Sequence, residues 1–229
     1  MHGSRTAALI LLLSAAGVGQ AALLWDNFNA AGPGGFDGRY FVTSEQDAVV
    51  PSGSGAADDA VFSQPVTLQK LRWAGCYLPQ YTYTAKVFIL DSGLNETVYD
   101  AQPITILETY GTVFGGYTAF NAEVPLPEIT LPAGRYLFGV QLINRTGTGA
   151  LGPGRHMILS TGNGTLRGSG MGMVKAADFG YPNWIPISEW YGLGITTDYA
   201  FQVYGDPVPE PASLFVLLAG PLVALLRRR

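Results

Sequence analysis

The chain has 229 residues, 30 of them Gly and 15 Pro, with a formal net charge of −4 and only 13% charged residues, about half the usual globular share. That composition excludes an acidic disordered protein, a coiled coil and a basic nucleic-acid binder. Apolar residues make up 48% and aromatic residues 12%, enough for one packed core, and the abundance of Gly, Tyr, Phe and Val favours strands and turns over helices.

Residues 1–21 have the three parts of a secretory signal peptide. Arg5 supplies the basic start, and Ala7-Ala8-Leu9-Ile10-Leu11-Leu12-Leu13 forms the apolar run. Small residues then lead through Gly19-Gln20-Ala21 to a cleavage site after Ala21 or Ala22. The alternative is the first helix of a cytosolic domain. The order of the parts and the flanking charge favour the signal.

Residues 22–205 contain no linker, charge block or internal repeat, which predicts one domain. Apolar residues recur with period two. Val66 and Leu68 precede Leu71 and Trp73; Tyr81, Tyr83, Ala85, Val87 and Ile89 share one face, with Phe88 and Leu90 on the other. Tyr136, Phe138, Val140 and Leu142 alternate with Leu137, Gly139, Gln141 and Ile143, and Tyr199, Phe201 and Val203 with Ala200, Gln202 and Tyr204. Asp91-Ser92-Gly93, Pro132-Ala133-Gly134 and Thr146-Gly147-Thr148-Gly149 supply turns between them. The pattern predicts an all-β fold: a single jelly-roll-like β-sandwich, flanked by the signal-peptide helix and a short C-terminal transmembrane helix.

Candidate chemistry within this domain is sparse. Cys76 is the only cysteine, so no intrachain disulfide forms, and it reads as a small buried residue. His156 is the one histidine left after signal removal; no nucleophile motif accompanies it, and it reads as structural. Neither a zinc motif nor a spaced calcium loop is present, so no metal and no cofactor are expected. The glycine-rich stretch 162–172 lacks the Gly-Lys-Ser/Thr ending of a phosphate loop and reads as a hairpin tip or long loop. Asp58, Asp59, Asp178 and Glu189 are candidates for a two-carboxylate glycoside hydrolase. Adjacent Asp58 and Asp59 would alternate across a strand and so not face each other; turn and surface roles are favoured over calcium binding because no spaced calcium loop is visible.

One cluster suggests binding. Phe179-Gly180-Tyr181-Pro182-Asn183-Trp184-Ile185-Pro186 runs on to Glu189-Trp190-Tyr191, and its prolines predict a loop. Tyr181, Trp184 and Trp190 are candidates to stack on sugar faces, with Asn183 bonding hydroxyls. The competing reading makes the same rings core that covers one end of the sandwich.

Residues 206–229 form the last unit. Pro209-Glu210-Pro211 is followed by an uncharged stretch to Leu226, interrupted by Gly220-Pro221, and then by Arg227-Arg228-Arg229. The stretch is short for a bilayer-spanning helix, and the terminal arginines hold the C-terminus on the cytoplasmic side as a stop-transfer signal. A plain membrane anchor is one reading. Losing Arg5 and these three arginines would make the mature chain more acidic by four charges.

The tripeptide, apolar helix and basic cluster at the extreme C-terminus closely resemble the PEP-CTERM sorting signal of Gram-negative bacteria that make extracellular polysaccharide. That resemblance implies an exosortase that recognises Pro209, Glu210 and Pro211 and processes the chain there, after transient anchoring in the inner membrane. Gly35-Phe36-Asp37-Gly38, Ala57-Asp58-Asp59-Ala60-Val61-Phe62, Trp73-Ala74-Gly75-Cys76-Tyr77, Leu131-Pro132-Ala133-Gly134-Arg135-Tyr136 and Asp198-Tyr199-Ala200-Phe201-Gln202-Val203-Tyr204-Gly205 also resemble a secreted domain recurrent in such proteins. This second resemblance implies a sandwich and an extracellular place, but no activity. Together they lead to the expectation of a non-enzymatic protein of the cell surface or matrix, associated with exopolysaccharide and binding no nucleic acid. A two-carboxylate carbohydrate-active hydrolase and a structural adhesin without a small ligand are the alternatives.

Overall fold

A computed structural model of the chain describes residues 21–28, 35–36, 41–46, 52–77, 83–114, 117–144, 156–161, 167, 172–191 and 197–209. Strands dominate, as the composition predicts. They are β1 (Ala22–Asp26), β2 (Phe41–Thr43), β3 (Glu45–Gln46), β4 (Ser54–Phe62), β5 (Val66–Tyr77), β6 (Tyr83–Leu90), β7 (Glu96–Pro103), β8 (Thr105–Phe114), β9 (Tyr117–Leu131), β10 (Gly134–Asn144), β11 (Met157–Leu159), β12 (Met173–Ala176), β13 (Tyr181–Pro186) and β14 (Phe201–Pro207). Helical structure among the described residues is limited to a 3₁₀ turn at Ala177–Phe179 and one short helix, α1 (Ile187–Tyr191).

Two sheets result. In the first, β5 has β9 along one edge and β14, then β11, along the other; β1 extends from β14, β2 from β11 and β8 from β9. The second runs β13-β12-β4-β10-β6-β7, with β3 also on β10. All pairs are antiparallel except β3 with β10. The main core lies between the sheets. Leu68, Leu71, Trp73, Phe120, Val124 and Val203 enter it from the first sheet, and Ala56, Ala60, Ala85, Val87, Phe138 and Val140 from the second. Strand alternation sorts these residues inward and their neighbours outward.

β5 shows how the sequence pattern becomes geometry. Its inward residues change parity, from Val66 and Leu68 to Leu71 and Trp73. Against β14, Tyr204 pairs with Lys70 and Gly205 with Leu68, so Gln69 is the extra residue of a β-bulge that re-phases the strand. Ser44 marks another special position, where the chain passes from β2 in the first sheet to β3 in the second. Its carbonyl accepts Leu142 N–H (3.0 Å), its hydroxyl accepts Ala56 N–H (3.1 Å) and donates to Val140 C=O. The crossover therefore leaves its buried polar groups paired.

The second sheet curls. Five strand spacings separate β13 from β7, roughly 24 Å if flat, yet Trp184 Nε1–H on β13 donates to Glu96 Oε2 on β7 at 2.7 Å. Inside the curl, Ala57, Phe88, Leu90 and Leu137 form a small second core, with Met173 and Trp184 packed against it.

Three expectations need correction or placement. Tyr181–Pro186 is a strand, not a loop; β13 tolerates Pro182 and Pro186 because it is the sheet edge. The folded unit passes residue 205, since Asp206 and Pro207 still pair with Thr67 and Val66. The signal-peptide helix, apart from Ala21, and the C-terminal helix beyond Pro209 lie outside the described residues. Among those described, no helix is long and apolar enough to cross a membrane.

Gly139 sits where β10 passes closest to β4. A Cβ there would lie 2.4 Å from Ala56 O and 3.0 Å from Ala57 Cβ. Because the nearer atom is backbone, Gly139→Ala should destabilise the domain by roughly 1–3 kcal/mol, seen as a lower urea midpoint at unchanged m-value. An unchanged midpoint would show that the two strands separate without cost.

Candidate functional site

The curl creates a groove on the concave face of the second sheet, with a cavity volume of ≈ 160 Å³. Each strand that crosses it contributes an outward residue. β6 supplies Lys86 and Phe88, β10 Gln141, β12 Lys175, β13 Trp184 and β7 Glu96. Lys86 and Lys175 point outward because their neighbours Ala85, Val87, Val174 and Ala176 are buried.

Trp184 is the largest side chain of the groove. Its ring stands edge-on to Phe88, with centroids 5.8 Å apart, and lies over Gly55, where a Cβ would be 3.0 Å from the indole. Glycine at 55 therefore lets the indole lie down on the sheet. Glu96 accepts both Trp184 Nε1–H at 2.7 Å and Lys175 Nζ–H at 3.0 Å, and the Lys175 ammonium is 5.9 Å from the indole centroid. On the other side, Lys86 donates to Gln46 Oε1 at 2.9 Å and pairs more loosely with Asp100 at 3.6 Å. Gln141 Nε2–H bonds Ser54 C=O at 2.6 Å. The described lining thus holds two cations and one carboxylate around an aromatic ring.

The candidate sugar-binding residues do not form one cluster. Trp184 lines the groove, whereas Asn183, its neighbour in β13, is exposed on the other face of the strand. Tyr181 and Trp190 meet each other instead, with ring centroids 5.0 Å apart, and exposed Phe179 packs edge-on to Trp190 at 6.1 Å. Trp190 also packs against the main core. The sorting residues are placed only in part: Pro209 is exposed just beyond β14, and Glu210, Pro211, Arg227, Arg228 and Arg229 lie outside the described residues. Lys86, Gln141, Lys175, Phe88 and Glu96 were not singled out by sequence. Lys86, Gln141 and Lys175 carry one local signal, a polar residue between two core residues of an alternating strand; Glu96 and Phe88 do not carry it.

Of the candidate carboxylates, Asp178 touches the groove's lining through Ser52, and Asp58 and Asp59 are elsewhere. Asp58 points between the sheets and is fully buried; its Oδ2 accepts Tyr199 N–H at 2.6 Å and Asn27 Nδ2–H at 3.4 Å, and its Oδ1 accepts Asp59 N–H at 2.8 Å. Burial, helped by the charge of Asp198, holds its carboxyl well above the usual carboxylate range despite those donors. Asp59 turns the other way and pairs with Arg135 Nε at 2.8 Å, as alternation predicts. Asp198 is pushed up to about 6, first by burial. Asp178 is exposed and accepts Ser52 N–H at 2.9 Å, and Glu189 is exposed on α1.

His156 and Cys76 are interior groups. His156 Nε2 accepts Trp73 Nε1–H at 3.2 Å, and its Nδ1–H donates to Ser44 C=O at 2.8 Å. Both ring nitrogens are engaged, and burial lowers the imidazole to about 4. The Cys76 thiol is buried and pushed up to about 12, which leaves it protonated and inert at neutral pH.

These shifts have opposite consequences. His156 titrates lower in the fold than unfolded, so its contribution to stability is lost as pH falls from about 6.5 through about 4. Asp198 titrates higher in the fold, so its contribution is lost as pH rises from about 3.8 through about 6. Asp198→Asn should therefore show a steeper loss of urea midpoint between pH 6 and pH 4 than the parent chain. His156→Gln should lose less stability than the parent chain on the same acidification. Parallel curves for all three proteins would refute the assignment.

No protein-family model matches the chain, and no curated protein and no solved structure matches it.

Proposed function

We propose that this is an exported, non-enzymatic protein of the cell surface or extracellular matrix, sorted by an exosortase through Pro209, Glu210 and Pro211. Its two sheets are a jelly-roll-like sandwich whose concave groove around Trp184 binds extracellular polysaccharide. The observation that carries this reading is the tripartite C-terminus: tripeptide, apolar stretch and Arg227-Arg228-Arg229, in that order, on a chain that also begins with a signal-like segment.

The geometry of the chain ends supports it. Ala22 pairs with Gly205, so the first and last strands begin and end side by side. Cleavage after Ala21 leaves β1 whole. After β14, Val208 N–H bonds Pro65 C=O at 2.9 Å, and Pro209, the first residue of the tripeptide, is exposed. A membrane-bound protease would reach an exposed Pro209 without unfolding the domain.

Polysaccharide suits the groove better than a small free ligand. Its ≈ 160 Å³ is below the roughly 300–1,000 Å³ of pockets that enclose a small molecule. An open groove of that size fits one residue of a longer chain, its C–H face against the indole and its hydroxyls on the surrounding polar groups. Hydrolysis is disfavoured. It needs two carboxylates within about 10 Å, whereas Glu96 and Asp100 stand four residues apart on β7, about 13 Å along the strand, and Asp58 and Asp59 are buried.

In its native host, a Glu210→Ala variant should be exported normally but keep its C-terminus. Intact mass spectrometry of envelope and medium should then find Arg227-Arg228-Arg229 retained, where the parent protein ends near Pro211. A trimmed C-terminus in the variant would overturn the sorting assignment.

A further inference from the structure

We infer that the Trp184 groove takes a carboxylated sugar, a uronate residue within a polysaccharide, and not a neutral one. The inference rests on the glycan reading of the groove and goes beyond it by assigning the ligand's charge. The chain has three lysines, Lys70, Lys86 and Lys175, and two of them line this one groove. The chain is acidic, with 17 Asp and Glu against 13 Lys and Arg, and the described groove lining holds two lysines to one carboxylate, with Asp100 and Asp178 at its margin.

The ammonium groups keep binding capacity. Lys175 donates to Glu96, and Lys86 to Gln46, and each ammonium has three N–H groups. The described lining offers Glu96 as its single carboxylate, and Glu96 is shared with Trp184 Nε1–H. Lys175 is matched by Glu96 at 3.0 Å, whereas the carboxylate that Lys86 meets, the exposed Asp100 outside the lining, stands at 3.6 Å, so Lys86 is the loosely compensated cation of the groove. A neutral sugar would leave Lys86 with that loose, exposed counterion alone, whereas a uronate carboxylate supplies a closer one and its ring supplies the apolar face. The low-dielectric wall formed by Trp184 and Phe88 strengthens the attraction relative to an open surface. Charge-assisted hydrogen bonds are the stronger class, and loss of one changes affinity by about tenfold or more.

The test uses the full-length chain in detergent and three soluble probes: polygalacturonate, neutral dextran and dextran sulfate. Retardation in affinity electrophoresis reads binding, with thermal melts to establish that each variant is folded. We expect polygalacturonate to be bound at least about tenfold more tightly than dextran. Lys86→Gln and Lys175→Gln should each weaken that binding about tenfold, and Trp184→Ala should abolish it. Binding should also fall as salt is raised. Equal binding of dextran and polygalacturonate, unaffected by the lysine variants but lost in Trp184→Ala, would overturn the uronate assignment and leave the glycan groove standing. Binding of polygalacturonate and dextran sulfate alike, unchanged in Trp184→Ala, would overturn both as a general charge effect. So would no binding to any probe.

Discussion

A six-strand path can close on itself only if the middle of its concave face is small. In the second sheet Gly55, Ala57 and Gly139 hold the centre of that face, on β4 and β10, with Leu137 and Gln141 of β10 to either side of Gly139. Larger residues come in from the flanks: Phe88 and Leu90 from β6, Met173 from β12 and Trp184 from β13. Small centre and large flanks together produce curvature, because the side chains fill a concavity that the backbone alone would leave empty. The Glu96 carboxylate then joins the two edges by accepting from both Trp184 and Lys175. Without the curl, Trp184 would lie on an edge strand far from β7, and the groove would be an open plane.

The inner face of the same strand carries the opposite kind of residue. Asp58 is flanked on that face by Ala56 and Ala60 and bonds the backbone N–H of Tyr199, at the start of β14 in the facing sheet. A carboxyl in that place costs desolvation free energy, offset by its donors and by retention of a proton. It gives direction in return, since an apolar side chain would set no register between the sheets. The Ser44–His156 contact acts similarly at the crossover from β2 to β3, where the imidazole joins the Ser44 carbonyl to the Trp73 indole. Two polar ties thus fix how the sheets face each other, while the hydrophobic core supplies most of the free energy.

Much of the fold was legible because alternation is a local signal. The inward residues of β6 and β10 stand in the sequence in the order in which they enter the core, and even the bulge at Gln69 is written as a change of parity between Leu68 and Leu71. Composition anticipated the dominance of strands. The groove was not legible in the same way, since Lys86, Glu96, Gln141, Lys175 and Trp184 come from five strands that only the curl brings together. Sequence proximity misled where it grouped Tyr181, Asn183, Trp184 and Trp190. Alternation across an edge strand sends Trp184 to the concave face and Asn183 to the other, and α1 returns Trp190 to Tyr181. Prolines misled as well, because Pro182 and Pro186 are compatible with a strand whose outer edge has no partner.

The pairing of β1 with β14 links the fold to the chain's two distinctive ends. An antiparallel pair places the start of one strand beside the end of the other, and here the residues are Ala22 and Gly205. The described chain therefore begins β1 and ends β14 at the same end of the first sheet. Under the export and sorting proposed above, the domain would be held from that one end before both signal cleavage and C-terminal processing. A domain tethered at one end during both events need not reorient or open between them. The same pairing explains why the sheet extends to Pro207: Asp206 and Pro207 complete the ladder with Thr67 and Val66, which fixes the exit point and leaves Pro209 exposed as the first residue clear of the fold.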